Sequence, residues 1–171
     1  LSPVARPLVV MTPKSLLRHP RATSTVVELA EESFQPVLPD AAAAERRDSV
    51  TRLVLCSGKV YYDLLIPAEK NELRHVAIGR IEELYPFPAD AVGELVSAFP
   101  NLREVIWAQE EPTNMGALSY IGPRLRAVVP RTITLKPVAR PDRASPAEGK
   151  SQDHTLTQQR IVEEALGLGK G

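Results

Sequence analysis

The adjacent carboxylates Glu110 and Glu111 are the residues of this sequence with the clearest potential for chemistry. They follow the apolar run 105–108, which predicts a buried strand. Open α/β sheets bind ligands beyond the carboxyl ends of their strands, and two carboxyl groups with different pKa values can act there as acid and base. Such pairs also cap helices or bind Lys and Arg across an interface, and we favour these two roles. The pair Glu82-Glu83 follows another predicted strand and is open to the same alternatives.

The segment around Glu110 also has the composition of a domain contact. Trp107 lies in the apolar run, where a core position is favoured over a role as a ligand platform. Gly116 lies near the start of a helix predicted over residues 114–128. We therefore expect the strand end and the helix start to contact neighbouring domains. The expected interface consists of Trp107, Gln109, Glu110, Glu111, Asn114, Met115 and Gly116.

A second candidate site is the predicted strand-to-helix turn C-S-G-K at residues 56–59. Backbone N–H groups at a helix start, with a Lys nearby, can bind an anion. The turn lacks the spacing of a Walker A loop, and the sequence contains no G-x-G-x-x-G. The alternative is a Gly chosen for a tight turn beside a solvated Lys. A hypothetical phosphate-binding cluster would combine Lys59 of this turn with four other basic residues, namely Lys14, Arg18, Arg124 and Arg140.

Cys56 would need a nearby base to act as a nucleophile. The three histidines, His19, His75 and His154, all lie near predicted loops, and no sequence pattern pairs any of them with Cys56. A buried cysteine at a strand end is therefore favoured. The same histidines and the scattered carboxylates lack metal-ligand spacing, so we expect no metal site.

The composition argues against several classes of function. Apolar residues make up 43% and charged residues 25% of the 171 residues, and 21 basic and 21 acidic side chains give a net charge of zero. Bulk charge thus gives no support for nucleic-acid or membrane binding. No apolar run approaches the roughly 18 residues of a membrane span. The single cysteine excludes an internal disulfide and favours a reducing compartment such as the cytoplasm. Without an initiator Met or a signal-peptide pattern, the chain is expected to be a piece of a longer one.

The order of predicted elements indicates an α/β fold. A short strand over 8–11, a helical turn over 12–18, a helix over 22–32, an extended segment over 34–38 and a loop over 40–48 come first. Strands over 52–56, 76–81, 104–108 and 132–138 then alternate with helices, the first of which, over 59–65, should end or kink at Pro67. The last helix is predicted over 155–166. Such alternation predicts a mostly parallel open sheet of about five strands with helices on both faces.

Several motifs stand in an order that resembles one family. T-P-K-S-L-L-R lies at 12–18, L-C-S-G-K-V-Y-Y-D-L at 55–64, and R-I-E-E-L-Y-P-F-P at 80–88. W-A-Q-E-E-P-T-N-M-G-A follows at 107–117, and R-P-D-R-A-S-P-A-E-G at 140–149 precedes H-T-L-T-Q-Q-R-I at 154–161. Together they resemble the C-terminal end of the E1 component of 2-oxoglutarate dehydrogenase, a thiamine diphosphate-dependent decarboxylase.

The resemblance implies a transketolase-like C-terminal domain over residues 51–171, a linker and loop over 22–50, and the end of the preceding pyrimidine-binding domain over 1–21. In that family the homodimeric enzyme decarboxylates 2-oxoglutarate on thiamine diphosphate and Mg²⁺. It then passes the succinyl group to the lipoyl arm of the E2 succinyltransferase in the citric acid cycle. Earlier domains hold the cofactor, so this segment is expected to have no catalytic, cofactor-binding or metal-binding residues. Its expected roles are to support the dimer and the active-site entrance.

Two alternatives remain open. In some bacterial relatives a nucleotide-type effector such as acetyl-CoA or AMP binds near this domain, so the segment could be a regulatory module. Its effector-binding or anion-binding residues would be Lys14, Arg18, Ser57, Lys59 and Arg140. A freestanding α/β binding protein or small hydrolase is the other alternative, and the missing initiator Met argues against it. The resemblance implies a bacterial cytoplasmic protein, or a mitochondrial matrix protein if the source is eukaryotic.

Overall fold

Two compact units make up the computed structural model, which describes residues 6, 7 and 9–168. The boundary between the units lies between Ser33 and Phe34. The second unit includes a short strand, β1 (Val37–Leu38), which pairs with a later strand of the same unit.

The first unit contains a short 3₁₀ helix, Lys14–Leu16, and helix α1, Val26–Glu31. Helix α1 begins after Thr25, whose hydroxyl accepts a hydrogen bond from the Glu28 N–H. The Glu28 carboxylate in turn accepts a hydrogen bond from the Thr25 N–H. The hydrogen bonding of Glu28 with the Thr25 backbone and side chain lowers the pKa of the Glu28 carboxyl group. This reciprocal capping fixes the start of α1.

Two predictions for the first unit were wrong. The helix starts four residues later than residue 22, because Thr25 is its N-cap. In the predicted strand over 8–11, Leu8 lies outside the described residues and residues 9–11 form no strand. A short apolar run becomes a strand only beside another strand, and none of the described residues of this unit forms one.

The second unit is built on a five-stranded sheet in the order β1-β3-β2-β4-β5. Strand β1 is antiparallel to β3, and the other three pairings are parallel. The predicted α/β class with a mostly parallel five-stranded sheet is confirmed. The four parallel strands are β2 (Arg52–Cys56), β3 (Val76–Ile81), β4 (Glu104–Pro112) and β5 (Thr134–Arg140).

Helices cover both faces of this sheet, as predicted. They are α2 (Val60–Lys70), α3 (Ala89–Ser97), α4 (Leu118–Val128) and α5 (Ser151–Leu166). Successive side chains of a strand lie on opposite faces. Trp107 of β4 accordingly packs in the core with α3 and α4, whereas Ile106 packs with α2 and α5. Because both faces are covered, β2 and β4 are apolar along most of their length.

Some element boundaries differ from the predictions. Helix α2 continues through Pro67 to Lys70, because buried Val60 and Leu64 anchor one face and the Asn71 side chain binds the Pro67 carbonyl at 2.8 Å. Strand β4 runs to Pro112 instead of residue 108, and β5 is shifted two residues toward the C-terminus. Helix α5 starts at Ser151 instead of residue 155. Residues 41–49 form 3₁₀ helix rather than loop. No helix in the described part of the chain is both long and apolar enough to cross a membrane.

Candidate functional site at the carboxyl ends of strands β2 and β4

The adjacent strands β2 and β4 define the topological switch point of the sheet. The chain leaves β2 toward α2 on one face, and it leaves β4 toward α4 on the other. Connections that diverge in this way leave a crevice at the carboxyl ends of the two strands, where α/β proteins place their sites. Here the two predicted segments meet, since Cys56 of β2 pairs in register with Ala108 of β4.

A lysine with two carboxylates lies at this crevice. The Lys59 ammonium group binds the Asp63 carboxylate one helical turn later and lies 3.3 Å from a carboxylate oxygen of Glu110. The Gln158 side chain on α5 donates to the same Asp63 oxygen at 3.0 Å. The network therefore joins the start of α2, the end of β4 and the middle of α5.

The charge state of Lys59 follows from this pairing. Partial burial acts to lower the pKa of the ammonium group, but the hydrogen bond to Asp63 and the charges of Glu110 and Asp63 outweigh it. The pKa of Lys59 is raised as a result. Lys59 is thus a fixed cation whose nearest anions belong to its own domain.

A bracket of hydrogen bonds shapes the end of β4. The Trp107 indole N–H donates to the Gln109 side-chain oxygen at 3.0 Å. The Gln109 amide nitrogen donates to the carbonyls of Pro112 and Met115 at 3.1 and 2.9 Å. Trp107 and Gln109 are 2% and 4% exposed, so both are internal to the domain.

Gly116 completes the bracket because its φ of +65° lies in the left-handed region. A Cβ at this position would come within 3.0 Å of both the Gln109 amide nitrogen and the Glu111 side chain. Residues 114–116 are consequently a turn, and α4 starts at Leu118 rather than at the predicted residue 114.

Arg140, at the end of β5, is the most buried charge of the site. Its side chain is 3% exposed and its Nη1 lies 2.6 Å from a Glu148 carboxylate oxygen. Its Nε donates to the Glu110 carbonyl at 2.6 Å, and its Nη2 contacts His154 Nδ1 and the Gln158 side-chain oxygen at 3.2 Å each. Because an arginine has only donors, His154 Nδ1 is the acceptor in this contact.

Glu148 ties the irregular segment 141–150, which we call the strap, to the sheet. Its second carboxylate oxygen binds Arg143, and this bond, with a smaller contribution from Arg140, lowers the pKa of Glu148 against the opposing effect of burial. Arg143 also exchanges two backbone hydrogen bonds with the Asn114 side chain, at 2.9 and 3.1 Å. Thr113 binds Asp142 in the same region. The strap is therefore attached to the turn that follows β4.

A cavity of about 520 Å³ lies between the strap on one side and Glu110 and Glu111 on the other.

Cys56 is fully buried and packs with α2 and α5, as the sequence predicted. Burial raises the pKa of its thiol to about 12, with Arg80 acting weakly in the opposite direction. Its sulfur contacts the Gly79 carbonyl at 3.7 Å. A protonated, inaccessible thiol is not a nucleophile.

The predicted anion-binding residues separate into three groups. Ser57 and Lys59 lie at the switch point, and Arg140 reaches the same network through Gln158. Lys14 and Arg18 are exposed and belong to the first compact unit. Arg124 is exposed on α4, where its guanidinium stacks on the Tyr120 ring.

The predicted interface residues also separate, according to burial. Glu111, Asn114 and Gly116 are exposed, and Glu110 and Met115 are partly exposed. Trp107 and Gln109 are buried beneath them and hold the turn in place. Any contact with another polypeptide would be made by the first group and positioned by the second.

Sequence reasoning missed three members of the network. Asp63 could have been found, because it lies four residues after Lys59 in a predicted helical region. Glu148 and Gln158 gave no such signal. Their partners lie on other strands and helices, and Glu148 is in a segment without periodicity.

The charged groups at this site are paired with one another. Within the described residues, no group of three or more His, Cys, Asp or Glu side chains is arranged to hold a metal ion. Asp63, Glu110 and Glu148 each bind a Lys or Arg of the domain, and the donors of Arg140 bind acceptors of the domain. The geometry is that of a charge-paired junction between secondary-structure elements.

Comparison with known proteins places the chain in a family. The family model described as 2-oxoglutarate dehydrogenase C-terminal matches residues 23–166. The 2-oxoglutarate dehydrogenase E1 component of an Exiguobacterium species is 47% identical over 163 residues. That of Bacillus subtilis is 48% identical over 165 residues. Each match covers 94% of this chain but 17% of the relative, so the chain spans about one sixth of their length.

A solved structure described as a split-gene transketolase, an inactive β4 tetramer, has the same fold. It superimposes with a TM-score of 0.54 at 18% identity, covering 82% of this chain and 45% of the other. This likeness supports the transketolase-like architecture of the sheet and its helices. The motifs, the family match and the relatives agree, and the chain belongs to the 2-oxoglutarate dehydrogenase C-terminal family.

Proposed function

We propose that this chain is the C-terminal part of a thiamine diphosphate-dependent 2-oxoglutarate dehydrogenase E1 component. The whole enzyme would use thiamine diphosphate and Mg²⁺, held by its other domains, to decarboxylate 2-oxoglutarate and would transfer the succinyl group to the lipoyl arm of E2. It would act in the citric acid cycle in the bacterial cytoplasm. The 47% identity to such a component over 163 residues carries this proposal.

The segment itself would act as a non-catalytic support for the dimer and the active-site entrance. Two features favour this role over catalysis. The charged side chains at the switch point bind one another, which suits a rigid junction. The exposed residues Asn114 and Gly116 lie on the turn that this network holds, and the exposed Glu111 lies just before it at the end of β4.

Residues 1–21 would belong to the preceding pyrimidine-binding domain. In support, the side chains of Val9, Val10 and Met11 are 78%, 69% and 91% exposed. Three consecutive exposed apolar residues in a folded unit are a common mark of a surface that another domain covers. Residues 22–50 would then lead into the C-terminal domain, whose first strand is β1.

The substrate can be tested on the full-length parent enzyme. Decarboxylation is measured with ferricyanide as electron acceptor, using 2-oxoglutarate, pyruvate and 2-oxoadipate as substrates. We expect the highest kcat/KM with 2-oxoglutarate. A higher value with either other acid would overturn the proposed substrate.

The supporting role can be tested with a matched pair of charge reversals. Glu111→Lys reverses an exposed charge at the end of β4, beside the turn. Glu94→Lys makes the same reversal at an exposed position of α3. We expect Glu111→Lys to weaken subunit association about tenfold or more in sedimentation experiments, because like charges at an interface are unfavourable. Glu94→Lys should leave association unchanged. Equal behaviour of the two variants would contradict an interface at the turn.

The effector-binding alternative has weaker support from the geometry. Arg140 already binds Glu148, Gln158 and the Glu110 carbonyl, and Lys59 already binds two carboxylates. An acetyl-CoA or AMP phosphate would have to displace these partners. Titrating the full-length enzyme with either nucleotide, with Lys59→Ala for comparison, tests this alternative. Binding that Lys59→Ala weakens at least tenfold would favour it.

A further inference from the structure

A second surface, distinct from the charged junction, carries two tyrosines and an arginine that contact one another. Tyr85 lies in the loop between β3 and α3, and Tyr120 and Arg124 lie one turn apart on α4. The two rings have centroids 6.2 Å apart at an angle of 59°. The Arg124 guanidinium carbon lies 3.6 Å from the Tyr120 ring centroid. We call Tyr85, Tyr120 and Arg124 the tyrosine–arginine patch.

The polar groups of this patch are available to a partner. Arg124 Nη1 donates to the Tyr120 carbonyl at 2.8 Å, which fixes the guanidinium over the ring. No carboxylate among the described residues pairs with Arg124, and neither hydroxyl of the patch has a hydrogen-bond partner within that same part of the chain. Tyr85 is 81% exposed.

The other tyrosine–arginine cluster of the domain shows what a self-contained arrangement looks like. Arg80 lies 4.5 Å from the Tyr61 ring centroid, donates to the Tyr62 hydroxyl at 3.0 Å and pairs with Glu82 at 3.2 Å. Its charge and donors are thus used within the domain. Arg124 stacks in a similar way but has no anionic partner in the described chain.

These properties are those of an interface hot spot. Tyrosine and arginine are enriched among the residues that dominate binding energy, and each aromatic ring can bury a large area. A side chain already held in place loses less conformational entropy on binding. Leu84 and Phe87, which flank the Tyr85 loop, pack against the core and give the patch a fixed base.

We propose that the tyrosine–arginine patch docks the portion of the parent E1 polypeptide that precedes residue 1. That portion would present a carboxylate to Arg124 and apolar contacts with hydrogen-bond acceptors to the two tyrosines. This inference rests on the proposed function. The relatives are about six times longer than this chain and their family region is C-terminal, so most of such a polypeptide is available as the occupant. The exposed turn leads directly into α4, the helix that carries Tyr120 and Arg124, since Ala117 is the N-cap residue of α4.

Photo-crosslinking in the full-length enzyme identifies the occupant. Tyr85 is replaced by p-benzoylphenylalanine, and cross-linked peptides are mapped by mass spectrometry. We expect peptides from E1 residues that precede this 171-residue region. Cross-links only to the same region of a second copy, only to the acyltransferase component, or to nothing would each overturn the proposal. The same replacement at Leu156, which is 66% exposed on α5, is the matched control and should not capture these peptides.

A charge reversal tests the expected carboxylate. Arg124→Glu and Arg126→Glu are the same change at two exposed positions of α4. We expect Arg124→Glu to accelerate hydrogen exchange of the cross-linked segment about tenfold or more, as loss of a hot-spot contact would, and Arg126→Glu to leave it unchanged. Equal exchange in both variants would overturn the role of Arg124. If the enzyme turns over 2-oxoglutarate normally but the cross-link does not form, this inference is refuted and the proposed function stands. If the cross-link forms but the enzyme is inactive on 2-oxoglutarate, the proposed substrate is refuted and this inference stands.

Discussion

The indole N–H of Trp107 donates a hydrogen bond to the side-chain oxygen of Gln109, two residues along the same strand, at 3.0 Å. Both side chains are almost fully buried. The side-chain amide of Gln109 thus connects Trp107, in the core beneath α3 and α4, with the carbonyls of the turn that follows β4. The rigidity of the exposed turn depends on this internal pair.

Substitution of either residue should destabilise the second unit, for different reasons. Trp107→Ala removes a large buried ring and should cost about 3–5 kcal/mol of unfolding free energy. Gln109→Leu keeps most of the volume but leaves the indole N–H and the turn carbonyls without their partner, which should cost about 1–3 kcal/mol. Urea unfolding followed by circular dichroism measures both.

Gln159 offers a control of the same residue type. It lies on the exposed side of α5, where its side chain binds Glu163 and no other residue in the described part of the chain. Gln159→Leu should change the unfolding free energy by no more than about 0.5 kcal/mol. An equally small effect of Gln109→Leu would contradict the bracketing role of Gln109.

The bounds of the strands could be predicted from the local sequence pattern, but the order of the strands in the sheet could not. Residues 52–56 and 76–81 were predicted with their observed bounds, because buried parallel strands are short apolar runs. The adjacency of β2 and β4, on which the switch point depends, was not predictable, because nothing in either segment encodes which strand lies beside it. Leu38 shows the same limit, since nothing in its own segment predicts that it pairs with Arg80.

The candidate site was predictable only where its members lie close in sequence. Glu110 and Lys59 were both identified, but their contact spans 51 residues and became visible only in the fold. Arg140 was predicted as an anion ligand because it is one of several basic residues near predicted loops or helix starts that could together bind a phosphate. No sequence pattern indicated a partner for it within the domain. The structure supplies that partner as Glu148, eight residues later, in a strap whose path no periodicity reveals.

Cys56 should react with thiol reagents only when the sheet opens. Burial and a pKa of about 12 keep the thiol protonated and inaccessible at neutral pH. At pH 8 we expect negligible modification by a disulfide reagent in buffer and complete modification in denaturing urea. Because the chain has one cysteine, the released chromophore reports this residue alone. Rapid labelling in buffer would contradict the buried position.

The pKa of Lys59 should depend on Glu110. The pKa is raised in the folded protein, so the pairing contributes stability that is fully present below the unfolded pKa and is lost as the pH rises through the folded value. Glu110→Gln should lower the pKa of Lys59, measured by NMR of the ¹³C-methylated amine. The unfolding free energy of the Glu110→Gln variant at pH 7 should differ from that of the parent sequence by less than about 1 kcal/mol, as expected for a partly exposed ion pair. An unchanged pKa would mean that Asp63 alone sets the charge environment.

Glu148→Gln should weaken the attachment of the strap and do so in a pH-dependent way. The folded pKa of Glu148 is lowered by Arg143 and Arg140, so its ion pairs contribute stability above the unfolded pKa, and this contribution is lost as the pH falls through the folded value. At pH 7 the variant should therefore melt several degrees below the parent sequence, and the difference should shrink as the pH falls below the ordinary carboxyl pKa of 4.5. Hydrogen exchange should be faster in the strap and in the turn at residues 113–116, because Asn114 is bound to the strap. Glu164→Gln, which breaks an exposed ion pair with Arg160 on α5, is the matched control and should shift the melting temperature by no more than about 2 °C. A pH-independent difference would show that Glu148 acts through packing rather than through its charge.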